Sequence, residues 1–311
     1  MTVAWLFPGQ GTQHVGMGRA LWQASSRARD VFNAADDALG WRLSSLCFDG
    51  PESELTLTRN TQPAVVAASI AALEALREAH PSLPPPVFVA GHSLGEYSAL
   101  VAAGALELAD AVRLVHLRGK AMQEAVPPGQ GAMAAIMGGD ADAVTSLCAD
   151  AAQGEVVSPA NYNAPGQIVI AGHAGAVARA EALAAARKLK AISLKVSAPF
   201  HCALMAPAAE TVRRALASIR LSPPRVPVVS NVTAEPTSSE DEIRELLVRQ
   251  LDAPVLWSQS VAHMAEAGVT HALELGSGKV LGGLVKRIDK RVAVLGVSDP
   301  ESIGKVTEFL A

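Results

Sequence analysis

Ser93 stands in Gly91-His92-Ser93-Leu94-Gly95, between an apolar run at Val87–Ala90 and a helix-like run at Leu94–Ala103. Strand, G-x-S-x-G, helix is the context in which a serine becomes a nucleophile. The sharp turn lifts the hydroxyl above the strand end, close to the positive end of the next helix. The N–H of Leu94 is then placed to donate to an oxyanion. The plainer alternative is a glycine turn with Ser93 as a helix N-cap. A serine also needs a base. Of the eight histidines, His92 is expected to point away along the strand. His201, in Ser197-Ala198-Pro199-Phe200-His201-Cys202, lies well downstream, where a base falls in Ser-first folds. No acid stands out to orient it, and a backbone or amide carbonyl could do so. A single histidine is equally a structural hydrogen-bonding group, and position alone leaves both open.

The third candidate is Arg118. In the predicted helix Asp110–Ala125, Leu114, Leu117, Arg118, Ala121 and Met122 share one stripe. A guanidinium on a buried face needs an anion. That anion is either an internal Asp or Glu or the carboxylate of a substrate, and these residues alone do not decide between them. Weaker signals are set aside. Gly276-Ser277-Gly278-Lys279 lacks the first glycine and the Ser/Thr of a phosphate loop and reads as a turn before a helix. Lys286, Arg287, Lys290 and Arg291 form either a solvated helix end or a docking patch for an acidic partner. No metal-ligand spacing is present, so no metal is expected.

The elements that must hold these groups follow from length and pattern. The 311 residues exceed what one core usually serves, and 50% hydrophobic with 18% charged residues excludes a disordered chain. A net charge of −4 argues against nucleic-acid binding. The most apolar stretch, Ala64–Leu73, is broken by Ser69 and ends at Glu74, so no membrane span is expected. Met1-Thr2-Val3 lacks a signal peptide's basic start, and the three cysteines are odd in number and scattered, so a cytoplasmic protein with reduced thiols is expected. Val3–Phe7 reads as a buried strand ended by Pro8-Gly9-Gln10-Gly11. Pro63 is expected to open a long helix to about Ala79.

From Gly129 the pattern changes. Strand, helix, strand, strand, helix, strand are expected at Ala132–Met137, Asp140–Ala152, Val156–Tyr162, Gln167–Ala171, Ala174–Lys188 and Ala191–Val196. Asn163-Ala164-Pro165-Gly166 would separate the middle strands. That order is the split ferredoxin-like pattern. Residues 129–196 are therefore expected to form an inserted ferredoxin-like small subdomain, and 1–128 with 197–311 the large one. After Pro199 the alternation resumes, with strands at Val226–Val229, His271–Leu275 and Val292–Val297 and helices near Ala206–Ser218, Asp241–Gln250, Gln259–Ala267 and Val280–Ile288. This alternation implies an α/β fold with a mostly parallel sheet.

Six segments in order carry a family likeness: Phe7-Pro8-Gly9-Gln10-Gly11-Thr12-Gln13, Asn60-Thr61-Gln62-Pro63-Ala64, Gly91 through Leu100, Arg118-Gly119-Lys120-Ala121-Met122, Asn163-Ala164-Pro165-Gly166-Gln167 and His201-Cys202-Ala203-Leu204-Met205. Together they resemble the malonyl-CoA:acyl carrier protein transacylases of bacterial fatty acid synthesis and the acyltransferase components of polyketide synthases. The likeness runs from about Phe7 to Ile288. It implies an α/β-hydrolase-like core around the inserted subdomain. It also implies a malonyl ester on Ser93, with His201 as base and the N–H groups of Gln10 and Leu94 as oxyanion hole. Arg118 would hold the malonate carboxylate, and the main-chain carbonyl of Gln250 would orient His201. Malonyl-CoA would be the substrate and an acyl carrier protein the partner. That partner brings its own phosphopantetheine, and the enzyme needs no cofactor. A monomer is expected. Phe200 would crowd the α-carbon and disfavour a methyl branch. Many fatty acid enzymes have a small residue there, and this departure leans toward a polyketide context. The competing reading is a serine acyl hydrolase that releases acyl groups to water.

Transfer is expected to fall in acid as His201 takes a proton. Malonyl-CoA should leave a covalent adduct on the intact protein, seen by mass spectrometry, and none on Ser93→Ala. An adduct on the variant would remove Ser93 from the nucleophile's place.

Overall fold

The computed structural model describes residues 1–311. Ten strands form two sheets: β1 (Val3–Phe7), β2 (Phe88–Gly91), β3 (Gly131–Met137), β4 (Val157–Ala164), β5 (Gln167–His173), β6 (Lys190–Ser193), β7 (Val228–Val229), β8 (Pro236–Thr237), β9 (His271–Leu275) and β10 (Ala293–Val297). The first sheet runs β10-β9-β1-β2-β7-β8 and is parallel except for β8, which pairs antiparallel with β7. The second is the antiparallel sheet β4-β5-β3-β6. The two are distinct in kind. β1 is buried at every residue, as a parallel strand covered on both faces must be. β4 mixes buried and half-buried residues, with register shifts along its pairing to β5.

The helix Thr58–Ala79 lies at the centre of the larger core and is buried on nearly all sides. It packs along the helix Leu108–Glu124, the pairing that carries Arg118. Small residues make the approach close. A Cβ at Gly119 would stand 2.5 Å from the carbonyl oxygen of Thr58 and 2.8 Å from the Cα of Arg59. Pro63 does not open this helix, as its type suggested, but sits inside it. The missing N–H of Pro63 releases the carbonyl four residues back, that of Arg59. His116 Nδ1 donates to that oxygen at 2.8 Å, so the proline leaves no buried acceptor unsatisfied.

Between Gly11 and Pro63 the sequence pattern predicts no element, yet the helices Arg19–Ala24, Ser26–Leu39, Leu43–Asp49 and Glu52–Leu55 fill the gap. Ser26–Leu39 buries Ala28, Val31, Phe32 and Ala35 on one stripe, and Ser25 caps it by accepting from the Ala28 N–H at 3.0 Å. β4 extends through Asn163 and Ala164, which the sequence placed in the loop, so the turn to β5 is Pro165-Gly166 alone. β6 stops at Ser193, three residues early. The Gly276–Lys279 segment is a turn, and Glu274 accepts from the N–H groups of Leu281 and Gly282 at 3.0 and 2.8 Å. Its carboxylate fills the start of the next helix, where a phosphate would have had to sit. No helix is long and apolar enough to cross a membrane.

β4 is tied to the segment around Val255, which belongs to neither sheet. Tyr162 N–H donates to Val255 O and Val255 N–H donates to Ala160 O, both at 2.9 Å. The first sheet holds the nucleophile by contact so close that only glycine fits. A Cβ on Gly95 would lie 2.0 Å from the carbonyl oxygen of Phe7, a backbone atom that cannot swing aside. Gly95→Ala should therefore cost about 3 kcal/mol of stability, read as a lowered urea midpoint. An unchanged midpoint would mean that β1 and the helix Gly95–Ala102 are not locked together.

Candidate active site

The parallel strands deliver their C-terminal ends to one place, as open α/β sheets do. Gly9 and Gln10 follow β1, Ser93 follows β2, and Asn231 follows β7. Ser93 sits at φ 50°, a left-handed conformation that a serine keeps only when its surroundings enforce it. Asn231 does so. Its Oδ1 accepts from the Ser93 N–H at 2.6 Å, and its Nδ2 donates to Gly91 O at 2.7 Å. The hydroxyl of Ser93 thus caps no helix and is free for other work.

That hydroxyl lies 2.7 Å from His201 Nε2. On the far side of the ring, Nδ1 donates to the main-chain oxygen of Gln250 at 2.8 Å. The second bond fixes the tautomer. With the proton on Nδ1, Nε2 presents its lone pair to the serine. No acid touches the imidazole. His201 is buried and itself at φ 59°.

Arg118 is 1% exposed, and no carboxylate lies within ion-pair distance of it. Its Nη2 donates to Gln250 Oε1 at 2.9 Å and to Ser93 Oγ at 3.2 Å. Its guanidinium carbon stands 5.3 Å from the centre of the Tyr97 ring, and its buried Nε has no partner. The internal salt bridge that could have explained a buried arginine is therefore absent.

Ser93, Leu94, His201, Arg118, Phe200 and Gln10 line one cavity of about 310 Å³. Gln250 lies behind it, fully buried. The loop carrying Gln10 is tied down by its side-chain amide, which donates to Thr58 Oγ1 at 3.3 Å. The N–H groups of Gln10 and Leu94 donate to no acceptor in the chain. His92 does not point away from the site. It borders the same cavity, and its Nε2 meets Asn163 Oδ1 at 2.8 Å, a link from the nucleophile's turn to β4.

Several participants escape sequence reasoning. Asn231 had one signal, its place just after a parallel strand. Glu96, a helix turn beyond Ser93, is 3% exposed and accepts from Gln250 Nε2 at 2.7 Å and from Asn231 N–H at 3.1 Å. Gln62 lines the cavity with its Oε1 unpartnered. The basic C-terminal cluster is partly used internally. Arg291 pairs with Asp289 at 2.6 Å, and Arg287 donates to Pro165 O at 3.2 Å. No group of three or more His, Cys, Asp and Glu side chains could hold a metal ion.

Burial sets the charges. It penalises an imidazolium at His201, and the neighbouring Arg118 cation adds to the penalty, so the pKa falls to about 3. Burial raises Glu96 to about 7. Burial thus points to a base that stays neutral well below pH 6.5, and to an acid loss later than an ordinary histidine would give.

Comparison with known proteins agrees in kind with this geometry. Residues 4–306 match the acyl transferase domain family. The malonyl CoA-acyl carrier protein transacylase of Escherichia coli strain K12 is 48% identical over 307 residues, 98% of this chain and 99% of that protein. An acyl carrier protein S-malonyltransferase from Vibrio cholerae superposes with a TM-score of 0.96 at 45% identity, covering 98% of this chain and all of that one. A malonyl-transacylase solved in complex with a type II polyketide synthase acyl-carrier protein gives 0.96 and 45%, covering 99% of this chain and 100% of that one.

The sign of the histidine's effect on stability follows from the depressed value. Below pH 6.5 the unfolded chain takes up a proton on residue 201 that the folded chain refuses until about pH 3, so this group costs stability as pH falls across that window. Protonation of His201 should therefore cause no loss of transfer between pH 8 and about 5. His201→Gln should abolish transfer, yet lose less stability than the parent between pH 6.5 and about 4 in paired denaturation curves. Parallel curves would mean an imidazole that titrates normally.

Proposed function

The chain belongs to the acyl transferase family and, within it, to the malonyl-CoA:acyl carrier protein transacylases; from that premise we propose how its own residues move the malonyl group. Ser93 Oγ gives its proton to His201 Nε2 as it attacks the thioester carbonyl of malonyl-CoA. The oxyanion forms against the N–H groups of Gln10 and Leu94, each worth about 3–4 kcal/mol when preorganised. The free state of both N–H groups supports that assignment. The thiolate of CoA leaves with the proton from His201. A malonyl ester then remains on Ser93 until the phosphopantetheine thiol of an acyl carrier protein attacks it by the same steps in reverse. His201 takes the thiol proton and returns it to Ser93 Oγ. The main-chain carbonyl of Gln250 holds the imidazole in its productive tautomer through both halves.

Arg118 carries the reading. An unpaired guanidinium buried beside a nucleophile has no structural justification, and a carboxylate on the acyl group supplies the missing anion. A simple esterase would have no such need. Nη2 donates to Ser93 Oγ at 3.2 Å. A carboxylate entering the cavity would take over that donor and release the hydroxyl for attack. Phe200, half-buried in the cavity wall, would stand near the α-carbon and restrict branching there, a discrimination of about 1–3 kcal/mol per methyl.

The architecture fits a finer description. The antiparallel sheet connects as strand, helix, strand, strand, helix, strand in the order β4-β5-β3-β6. This supports residues 129–196 as a ferredoxin-like unit inserted into an α/β-hydrolase-like core of 1–128 and 197–311. The product, a malonyl thioester on a carrier, is the extender unit of fatty acid or polyketide assembly.

Arg118→Ala should slow acylation by malonyl-CoA about 100-fold, roughly 3 kcal/mol, while acetyl-CoA loses far less. Equal losses would remove the clamp. In the same assay, the native protein should pass malonate to an added holo carrier protein much faster than to water. Release of free malonate at one rate, with or without the carrier, would make it a hydrolase.

A further inference from the structure

The acid missing from the His201 side of the site is present one amide away. Glu96 is buried without a cationic partner, and a single oxygen, Oε2, accepts from both Gln250 Nε2 (2.7 Å) and Asn231 N–H (3.1 Å). Those two residues hold the rest of the site. Asn231 grips the Ser93 N–H, and Gln250 contacts Ser93 O at 2.9 Å, His201 Nδ1 at 2.8 Å and Arg118 Nη2 at 2.9 Å.

An amide side chain has two faces that are nearly the same in shape and opposite in hydrogen-bonding sense. If the Gln250 amide turned over, its NH₂ would confront the guanidinium and its oxygen would confront Glu96. Both contacts would then be repulsive, donor against donor and acceptor against acceptor. Oε2 of Glu96 already accepts from the Asn231 N–H, so it meets the Gln250 amide as an acceptor and favours the orientation seen. That orientation is the one that hands an acceptor to Arg118.

Resting on the reading that Arg118 binds the carboxylate of the acyl group, we propose that Glu96 is a positioning residue for acyl selection: through the Gln250 amide it fixes the direction of the Arg118 guanidinium. Glu96 touches neither substrate nor the reacting atoms. Its effect is expected in the preference for a carboxylated acyl group more than in the chemistry of acyl transfer itself.

The test compares malonyl-CoA with acetyl-CoA, which differ by that carboxylate, as acyl donors to the full-length protein. Acyl-serine formation is followed by rapid-quench mass spectrometry. Glu96→Ala should lower the malonyl-to-acetyl ratio by about tenfold, chiefly through a raised KM for malonyl-CoA. Glu96→Asp keeps the charge but withdraws the oxygen by one methylene, and it should lower the ratio as well, which serves if the alanine variant does not fold. Glu96→Gln can offer its amide oxygen to both donors and should keep the ratio within about threefold of the parent. A folded Glu96→Ala or Glu96→Asp with an unchanged ratio overturns the proposal. So does an equal fall for both donors, which would place Glu96 behind Ser93 and His201 only. Arg118→Ala run alongside separates the two readings. If its ratio does not move, the clamp itself has failed. If only the Glu96 variants are silent, the positioning role alone has.

Discussion

A positive charge kept out of water without a negative partner is the constraint around which this site is built. Arg118 makes its hydrogen bonds to an amide and a hydroxyl and stacks over Tyr97, and all of these are neutral. Such contacts occupy Nη2, leave Nε without a partner and bring no carboxylate within ion-pair distance. The neighbouring groups register the consequence. The imidazole of His201 is held neutral, and the carboxyl of Glu96, one amide removed, stands in a field that favours its anion while burial opposes it. On the proposed reading, the carboxylate of the acyl group is the anion that this cation lacks.

That incompleteness would be ruinous on a loose scaffold, and the scaffold is tight for reasons visible in the backbone. Three parallel strands converge on the cavity, and the turns beyond them are held by side-chain amides, Gln10 on Thr58 and Asn231 on Ser93. The bulk of the protein behind them is a helix pair with small residues at its seam. Through β4 the second sheet closes the other wall, joined to the first unit by the Val255 backbone and by His92 and Asn163. The cavity therefore lies between the two sheets, with walls supplied by both.

Much of this was legible in the chain. The glycines around Ser93 exist because the turn is crowded, and crowding leaves a mark in residue type. Arg118 advertised itself by standing on an apolar stripe, although whether its anion was internal could not be read from one helix. Pro63 misled, since a proline fits best in the first turn of a helix, and here the distant His116 supplies a partner for the carbonyl it releases. The helices between Gly11 and Pro63 were missed although Ala28, Val31, Phe32 and Ala35 recur at helical spacing. Glu96 and Asn231 were illegible for a different reason. Their roles lie in pairings that span well over a hundred residues of sequence, and nothing local distinguishes a networked carboxylate from a solvated one. The acidity of His201 was invisible on the same grounds, because the depth of a side chain is a property of the whole fold.

The seam at Gly119 has a reach beyond packing. Residue 119 follows the arginine directly, and its bare α-carbon rests on the main chain of Thr58 and Arg59. The height of the guanidinium over the serine is therefore set by one backbone lying on another, with no side chain between them to adjust. A methyl inserted there would act as a shim under a lever, tilting the cation while leaving every surface that meets the acyl group chemically unaltered. If Arg118 grips the acyl group as proposed, acyl preference can drift through changes at this back wall, which a survey confined to pocket-lining positions would overlook.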